Sequence, residues 1–320
     1  MANTIKIFFS SLVMLSLILT GCTEAEQTTT GNEKTPFVGG DDALELEFLE
    51  GSPPFEVFDS GEFPFDVTLK ILNKGEFDVP PDHITITLTG IDPNDFGLDE
   101  LPIWTNDDEM IYGVRKDSEG NVIPGHNIYT DFTDVFNFGE QVSGNVEFTL
   151  RANICYDYQS EALSKLCFLE DVMNIEDNPL CDASGTKTAW NAGSPIHVTS
   201  IEQSAMGNNK ISFSFKIKHV GSGMISKKDS ECDNSYINKD KIYVNVTTGI
   251  ENKVLTCNGL SNAGNGKADG EISLSGQERT IMCIQDIGGL GEFEKLVKIT
   301  AAYDYKHHTS TDILVKHILT

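Results

Sequence analysis

The chain has 320 residues, with 23 Lys plus Arg against 49 Asp plus Glu and a formal net charge of −26 at pH 7. That balance argues against nucleic acid, which needs clustered Lys and Arg along a phosphate backbone, and against charge-driven docking on anionic headgroups. The acid is uneven: residues 1–160 hold 7 basic and 29 acidic side chains, residues 161–320 hold 16 and 20.

The first element is an apolar run over residues 7–19 that leads into Leu19-Thr20-Gly21-Cys22. Crossing a bilayer takes roughly 20 apolar residues; this shorter run suits the h-region of a signal peptide. Together with Cys22 it resembles a lipoprotein signal peptide with its lipobox. The resemblance implies removal of residues 1–21, lipid on the Cys22 thiol, and an extracytoplasmic protein anchored at the cell surface. Residues 22–42 are polar and without periodicity, the composition of a flexible tether.

Residues 43–172 read as a first, acidic β-domain. Alternation at 44–48 predicts an opening strand, and 65–72 a second that meets Asn73-Lys74-Gly75. A third strand follows at 84–90. Then comes an oxygen-rich stretch, Asp92, Asn94, Asp95, Asp99 and Glu100, with Asp107, Asp108 and Glu109 soon after. Hard cations take such ligands, but Phe96 breaks the spacing of a helix-loop-helix calcium site, and no metal or other cofactor is assigned. Residues 101–139 carry Trp104, Tyr112, Tyr129, Phe132, Phe136 and Phe138. This is long for a sandwich connection; the reading is an extra hairpin capping the core, or aromatics exposed to a carbohydrate or protein partner. A strand at 148–158 is read as turning near Ser160-Glu161-Ala162 into a hairpin, with a short helix over 160–171 as the competitor. Residues 173–194, with Asn178-Pro179 and Asn191-Ala192-Gly193-Ser194, read as a linker.

Residues 195–320 read as a second β-domain, with strands at 196–201, 211–218, 242–247, 254–257, 280–283 and 297–305. His307-His308 follows on a predicted turn. The second half repeats the first. Tyr156-Asp157-Tyr158 is matched by Tyr303-Asp304-Tyr305, and the turn after 65–72 by His219-Val220-Gly221 after 211–218. In each copy the two tyrosines share the apolar face and the aspartate points away. Gly75 and Gly221 are read as turn residues needing positive φ. This strand–turn–strand pattern closed by a Tyr-x-Tyr strand resembles the tandem immunoglobulin-like, CARDB-type β-sandwiches of archaeal surface proteins, over 44–172 and 195–320. The second copy departs from it with His219 where Asn is expected. The resemblance implies an all-β chain of two tandem immunoglobulin-like β-sandwich domains, with no shared enzymatic activity and with adhesion, scaffold or ligand-presenting roles.

Besides Cys22 the chain has Cys155, Cys167, Cys181, Cys232, Cys257 and Cys283. An even count in an exported chain predicts disulfides, and six cysteines allow about 15 pairings. No Cys-x-x-Cys occurs, so zinc is not expected. The hairpin reading would pair Cys155 with Cys167, and neighbouring strands would pair Cys257 with Cys283. Cys181 and Cys232 remain by elimination. No nucleophile, zinc or phosphate-loop motif is present, and Gly264-Asn265-Gly266-Lys267 reads as a loop. The expected function is therefore a non-enzymatic, lipid-anchored surface protein, held to the membrane through Cys22, with a surface protein or glycan as partner. The alternatives are a carbohydrate-binding or hydrolytic lipoprotein using the carboxylates of 92–109, or a subunit of an envelope complex.

Overall fold

Period-two alternation dictates the architecture: in the computed structural model, strands and two short 3₁₀ turns are the regular elements among the described residues. The structure describes residues 35–169, 180–207 and 209–318, without the side chains of 133–135. The signal peptide, Cys22, the first part of the tether and residues 173–179 of the expected linker lie outside the described residues. The described residues belong to the unit Thr35–Thr320.

The first half contributes β1 (Leu44–Phe48), β2 (Glu56–Phe58), β3 (Phe65–Asn73), β4 (Ile84–Thr89), β5 (Ile103–Thr105), β6 (Arg115–Lys116), β7 (Val122–Ile123), β8 (Asn127–Phe136) and β9 (Val146–Phe168). Then follow β10 (Gly185–Lys187), β11 (Trp190–Asn191), β12 (Ile196–Ala205), β13 (Lys210–His219), β14 (Met224–Ser226) and β15 (Lys241–Thr247). The last are β16 (Val254–Cys257), β17 (Asn262–Asn265), β18 (Lys267–Ser273), β19 (Glu278–Asp286) and β20 (Phe293–Lys316).

The fold is an all-β sandwich, and the halves repeat one pairing scheme. In the first half β1-β3-β8 forms one sheet, while β5, β4 and β9 are successive neighbours in the other. In the second half β12-β13-β19 matches the former and β18-β15-β20 the latter. Registers agree: Leu44 opposes Asn73 in β1–β3, and Ile196 opposes His219 in β12–β13. The inward faces are apolar and closed to solvent, with Val67, Leu69 and Ile71 on β3 and Phe213, Phe215 and Ile217 on β13. Burying each such side chain contributes about 1.5–3 kcal/mol.

No hairpin turns at 160. β9 runs straight through, antiparallel to β20 from Phe168↔Phe293 to Val146↔Val315, so the two halves share one sheet. The helix over 160–171 does not form either. The polar residues that suggest a turn are accommodated in the strand. Ser160, Ala162 and Ser164 continue the inward face, the Ser160 hydroxyl lies 2.8 Å from that of Tyr303, and outward Glu161 pairs with Lys298. His307 and His308 are likewise in β20 rather than on a turn, on opposite faces.

The straight strand corrects the cysteine pairing. Cys257–Cys283 forms as expected, but Cys155 bonds Cys232 and Cys167 bonds Cys181. Cys155 and Cys167 lie on one strand at a separation of about 40 Å for a rise of about 3.3 Å per residue, far beyond disulfide reach.

Residues 101–139 supply more than a capping hairpin. The small β6–β7 hairpin is present, but β8 is a full strand of the sheet with β3, burying Phe132 and Phe136, while Ile103, Tyr112 and Tyr129 stay exposed. Part of the expected linker is also structured: β10 pairs with β12 and β11 with β9. At the tether's end, the Val38, Gly39 and Gly193 N–H groups donate to the Glu76 carboxylate at 2.9, 2.9 and 2.7 Å.

Candidate binding site

The repeated Tyr-Asp-Tyr segments meet each other. In the β9–β20 ladder Tyr156 opposes Tyr305, Asp157 opposes Asp304 and Tyr158 opposes Tyr303. The four rings are buried, with edge contacts at 5.9 Å (Tyr156–Tyr158), 5.8 Å (Tyr156–Tyr305) and 6.1 Å (Tyr303–Tyr305). Three of their hydroxyls meet backbone groups, and that of Tyr303 meets the Ser160 hydroxyl. Tyr158 donates to Gly193 O at 3.3 Å and accepts from Phe77 N at 3.3 Å, while Tyr305 accepts from Gly223 N at 2.6 Å. Burial pushes the Tyr156 and Tyr303 hydroxyls well above the usual phenol range.

Gly75 and Gly221 have negative or extended φ, not the positive φ expected of a turn. Space requires them instead. A Cβ on Gly75 would sit 1.9 Å from the Tyr158 hydroxyl, and a Cβ on Gly221 would sit 2.4 Å from the Tyr305 hydroxyl. The same glycine–tyrosine approach occurs once in each half.

On the opposite face the two aspartates differ. Asp304 is wholly buried beneath the loop after β14. It accepts from Asp229 N (2.9 Å), Ser230 N (2.8 Å), Ser230 Oγ (3.1 Å) and Cys232 N (3.2 Å). Asp229, Glu231 and Cys232 have φ of 60°, 54° and 55°, which curls the loop so that the N–H groups of Asp229, Ser230 and Cys232 form a concave anion cradle filled by Asp304. The Cys155–Cys232 bond fastens this loop to β9. Asp157 is half-buried and lies 2.6 Å from His83 Nδ1. Burial, and then its hydrogen bond with Asp304, raise its carboxyl above the ordinary range against the lowering effect of His83.

This asymmetry has a testable consequence. Because the Asp157 pKa is raised on folding, the stability it confers is present below the ordinary carboxylate range and lost as pH rises through the raised value. Asp157→Asn, which fixes a neutral group, is expected to hold or raise the melting temperature at pH 7. Asp304→Asn removes charge-assisted acceptance and should cost about 2–3 kcal/mol. Thermal unfolding at pH 7 checks the order; equal losses for both variants would refute it.

The carboxylates of 92–109 do not gather. Asp92 caps the 3₁₀ turn Pro93–Phe96 by accepting from Asn94 N at 3.0 Å, Asp107 accepts from Thr105 Oγ1, and Asp99, Glu100, Asp108 and Glu109 are exposed. Among the described residues no three His, Cys, Asp or Glu side chains are placed to hold a metal ion.

The concave site lies elsewhere, between β1 and the later part of β20. Its larger stretch has a volume of about 570 Å³ and is walled by 47–50 on one side and 309–311 on the other, with Lys70 and Tyr129. A smaller stretch of about 150 Å³ continues along both walls, past 41–46 and past Tyr305 and His307, to Pro195 and Gly221. Five carboxylates line the two stretches: Asp41, Asp42, Glu45, Glu47 and Glu50. Lysines answer two of them, with Lys74 Nζ 2.6 Å from Glu45 and Lys70 Nζ 3.5 Å from Glu47, and His197 Nε2 lies 3.6 Å from Asp41. His307 packs edge-on against Tyr156 at 5.9 Å, and its buried Nδ1 has no hydrogen-bond partner among the described residues. Burial, with the neighbouring His308, pushes its pKa down to about 4, so the imidazole is neutral at physiological pH.

Sequence reasoning located Tyr156, Tyr305, His307 and β1 but did not join them. The cleft residues are spread over both halves, and only the pairing of β9 with β20 brings them together. The acidic opening segment, residues 41–50, was the available signal.

No family model matches the chain, and no curated protein matches it. Among solved structures, a secreted serine protease, VesC from Vibrio cholerae, aligns with 82% of this chain and 50% of its own at 8% identity and a TM-score of 0.18. The chain thus spans about half the length of that protein, and likeness at this level carries neither fold nor function across.

Proposed function

We propose that this chain is a non-enzymatic, lipid-anchored protein of the cell surface, made of two tandem immunoglobulin-like β-sandwiches, that binds a partner in the acidic cleft between β1 and β20. The observation that carries the reading is the cleft: a cavity of about 570 Å³ with a smaller stretch beside it, the two lined by five carboxylates. The anchor rests on the lipobox resemblance at Leu19-Thr20-Gly21-Cys22. The tandem assignment is supported by the repeated pairing scheme and by the glycine–tyrosine approach in each half. In this reading the lipid holds the chain, the polar tether of residues 22–42 spaces it from the bilayer, and the sandwich presents the cleft.

Anchoring takes two acyl chains, because one gives only marginal membrane binding. Replacement Cys22→Ser should therefore move the protein from the membrane fraction to precursor or released material, and should abolish incorporation of labelled palmitate. Normal processing with unchanged membrane retention would overturn the anchor.

A further inference from the structure

One strand edge inside the proposed cleft is open. β20 is paired along its whole length with β9 on one side. On its other side Met224–Ser226 of β14 pairs up to Lys306, and β2 pairs from Leu314 onward. Among the described residues no strand pairs with residues 307–313 on that side. The alternation of an antiparallel strand says which groups are exposed there. Leu314 N donates to Phe55 O at 2.8 Å, and Lys316 O accepts from Asp59 N at 3.1 Å, both away from β9. By the same parity the N–H and C=O groups of His308, Ser310 and Asp312 point away from β9, along a gap of about 20 Å.

Open edges are usually blunted by lysine, proline or a bulge. This one has none: His308, Ser310 and Asp312 are solvent-exposed, and the flanking Pro53-Pro54 stands before β2, where missing N–H groups stop that strand from extending along the gap. The edge faces the cleft wall of β1. There the parity is also known, because Leu49 N bonds Thr68 O on the β3 side while Leu44 N bonds the Tyr156 hydroxyl at 3.3 Å on the other. The outward groups of Leu46 and Phe48 therefore border the same gap. Exposed Phe55, Leu49 and Tyr129 stand at its rim. The lining is mostly acidic, five carboxylates against Lys70, and neither Asp42 nor Glu50 makes an ion pair with Lys70 or Lys74 among the described residues.

We propose that the free edge of β20 between β14 and β2 receives an extended, positively charged segment of a partner protein as an added strand. Main-chain hydrogen bonds to His308, Ser310 and Asp312 supply affinity. Alternate side chains of the segment face β1, and its cations meet Glu47, Glu50 and Asp42. The segment 23–34 of this chain is a poorer occupant, because it carries Glu24, Glu26 and Glu33 against Lys34 alone. The proposal deepens the binding reading above and rests on it.

The test uses the detergent-solubilised full chain and a labelled seven-residue peptide alternating valine with lysine, against the same peptide with glutamate for lysine. The lysine peptide is expected to bind at least tenfold more tightly, to weaken with added salt, and to slow amide exchange within 307–313. Ser310→Pro deletes one edge N–H and should weaken binding at least tenfold with little change in melting temperature. Glu47→Lys with Glu50→Lys, which leaves the backbone intact, should reverse the preference between peptides. Equal binding of both peptides, or protection outside 307–313, overturns the proposal. Self-association of the free chain that Ser310→Pro abolishes also overturns it, in favour of a second copy as occupant. Failure of lipid anchoring would leave all these readouts unchanged, so the two readings fail separately.

Discussion

Cys155→Ser with Cys232→Ser is expected to cost about 4–5 kcal/mol, the largest loss among the three disulfides. Cross-linking limits the unfolded chain more when the loop it closes is longer, and the separations are 77 residues for this bond, 14 for Cys167–Cys181 and 26 for Cys257–Cys283. The same rule gives about 3 kcal/mol for the shortest loop. Two further effects add to the first bond. It ties β9 of the first half to a loop of the second, and it holds that loop over Asp304, whose donors are Asp229, Ser230 and Cys232. A drop of roughly 10 °C in melting temperature is expected for a unit of this size. Calorimetry of the three paired serine variants checks the ranking. A greater loss on removing Cys167–Cys181 would show that the Cys155–Cys232 bond constrains little.

The second large effect belongs to Gly75→Ala. The added Cβ would lie 1.9 Å from the Tyr158 hydroxyl, 2.7 Å from Gly193 O and 2.9 Å from Asp42 O. Two of those three atoms are backbone and cannot swing away, so the cost should reach about 3 kcal/mol, the upper part of the usual range for overpacking. Gly221→Ala meets the Tyr305 hydroxyl at 2.4 Å and the Pro195 Cβ at 2.8 Å and should behave alike. Tyr158→Phe removes the nearest clashing atom, so in the Gly75→Ala background it should recover part of the loss. In the wild-type background it costs about 1 kcal/mol through lost hydrogen bonds. A double-mutant cycle in urea measures the coupling; strictly additive losses would show that the glycine does not serve the tyrosine.

Much of the sandwich was legible, because half-buried strands carry their own period. The runs at 44–48, 65–72, 84–90, 211–218 and 242–247 coincide closely with β1, β3, β4, β13 and β15. The duplicated Tyr-Asp-Tyr was legible too, and its tyrosines do pack in the core, three of the four with the hydroxyl on a backbone group and Tyr303 with its hydroxyl on that of Ser160. The errors in the strand and in the disulfides share one cause. Ser160-Glu161-Ala162 looks like a turn to any local rule, and strands of ordinary proteins average about 5–6 residues, so a strand running from 146 to 168 was cut short. What keeps it extended is β20, more than a hundred residues away in the chain. The misplaced turn then displaced two disulfides. Gly75 and Gly221 were found for the wrong reason: the sequence shows that a side chain is missing but not what occupies its place. The cleft was hidden because it depends on which edge of β20 stays unpaired, a property of strands that are absent from that edge.

The register of β9 on β20 has a consequence for symmetry. Asp157 corresponds to Asp304 in the repeat, and Asp157 is also the residue opposite Asp304; Tyr156 and Tyr158 likewise face the counterparts of Tyr158 and Tyr156. Equivalent residues thus meet each other across a local dyad through the aspartate pair, the rule obeyed by an isologous dimer. A single polypeptide thus repeats across this ladder the reciprocal contact pattern that two identical chains make in an isologous dimer. Covalent linkage frees the two sides of that pattern to diverge: on one side of the dyad the aspartate remains half-open beside His83, and on the other it is sealed beneath a disulfide-bonded loop.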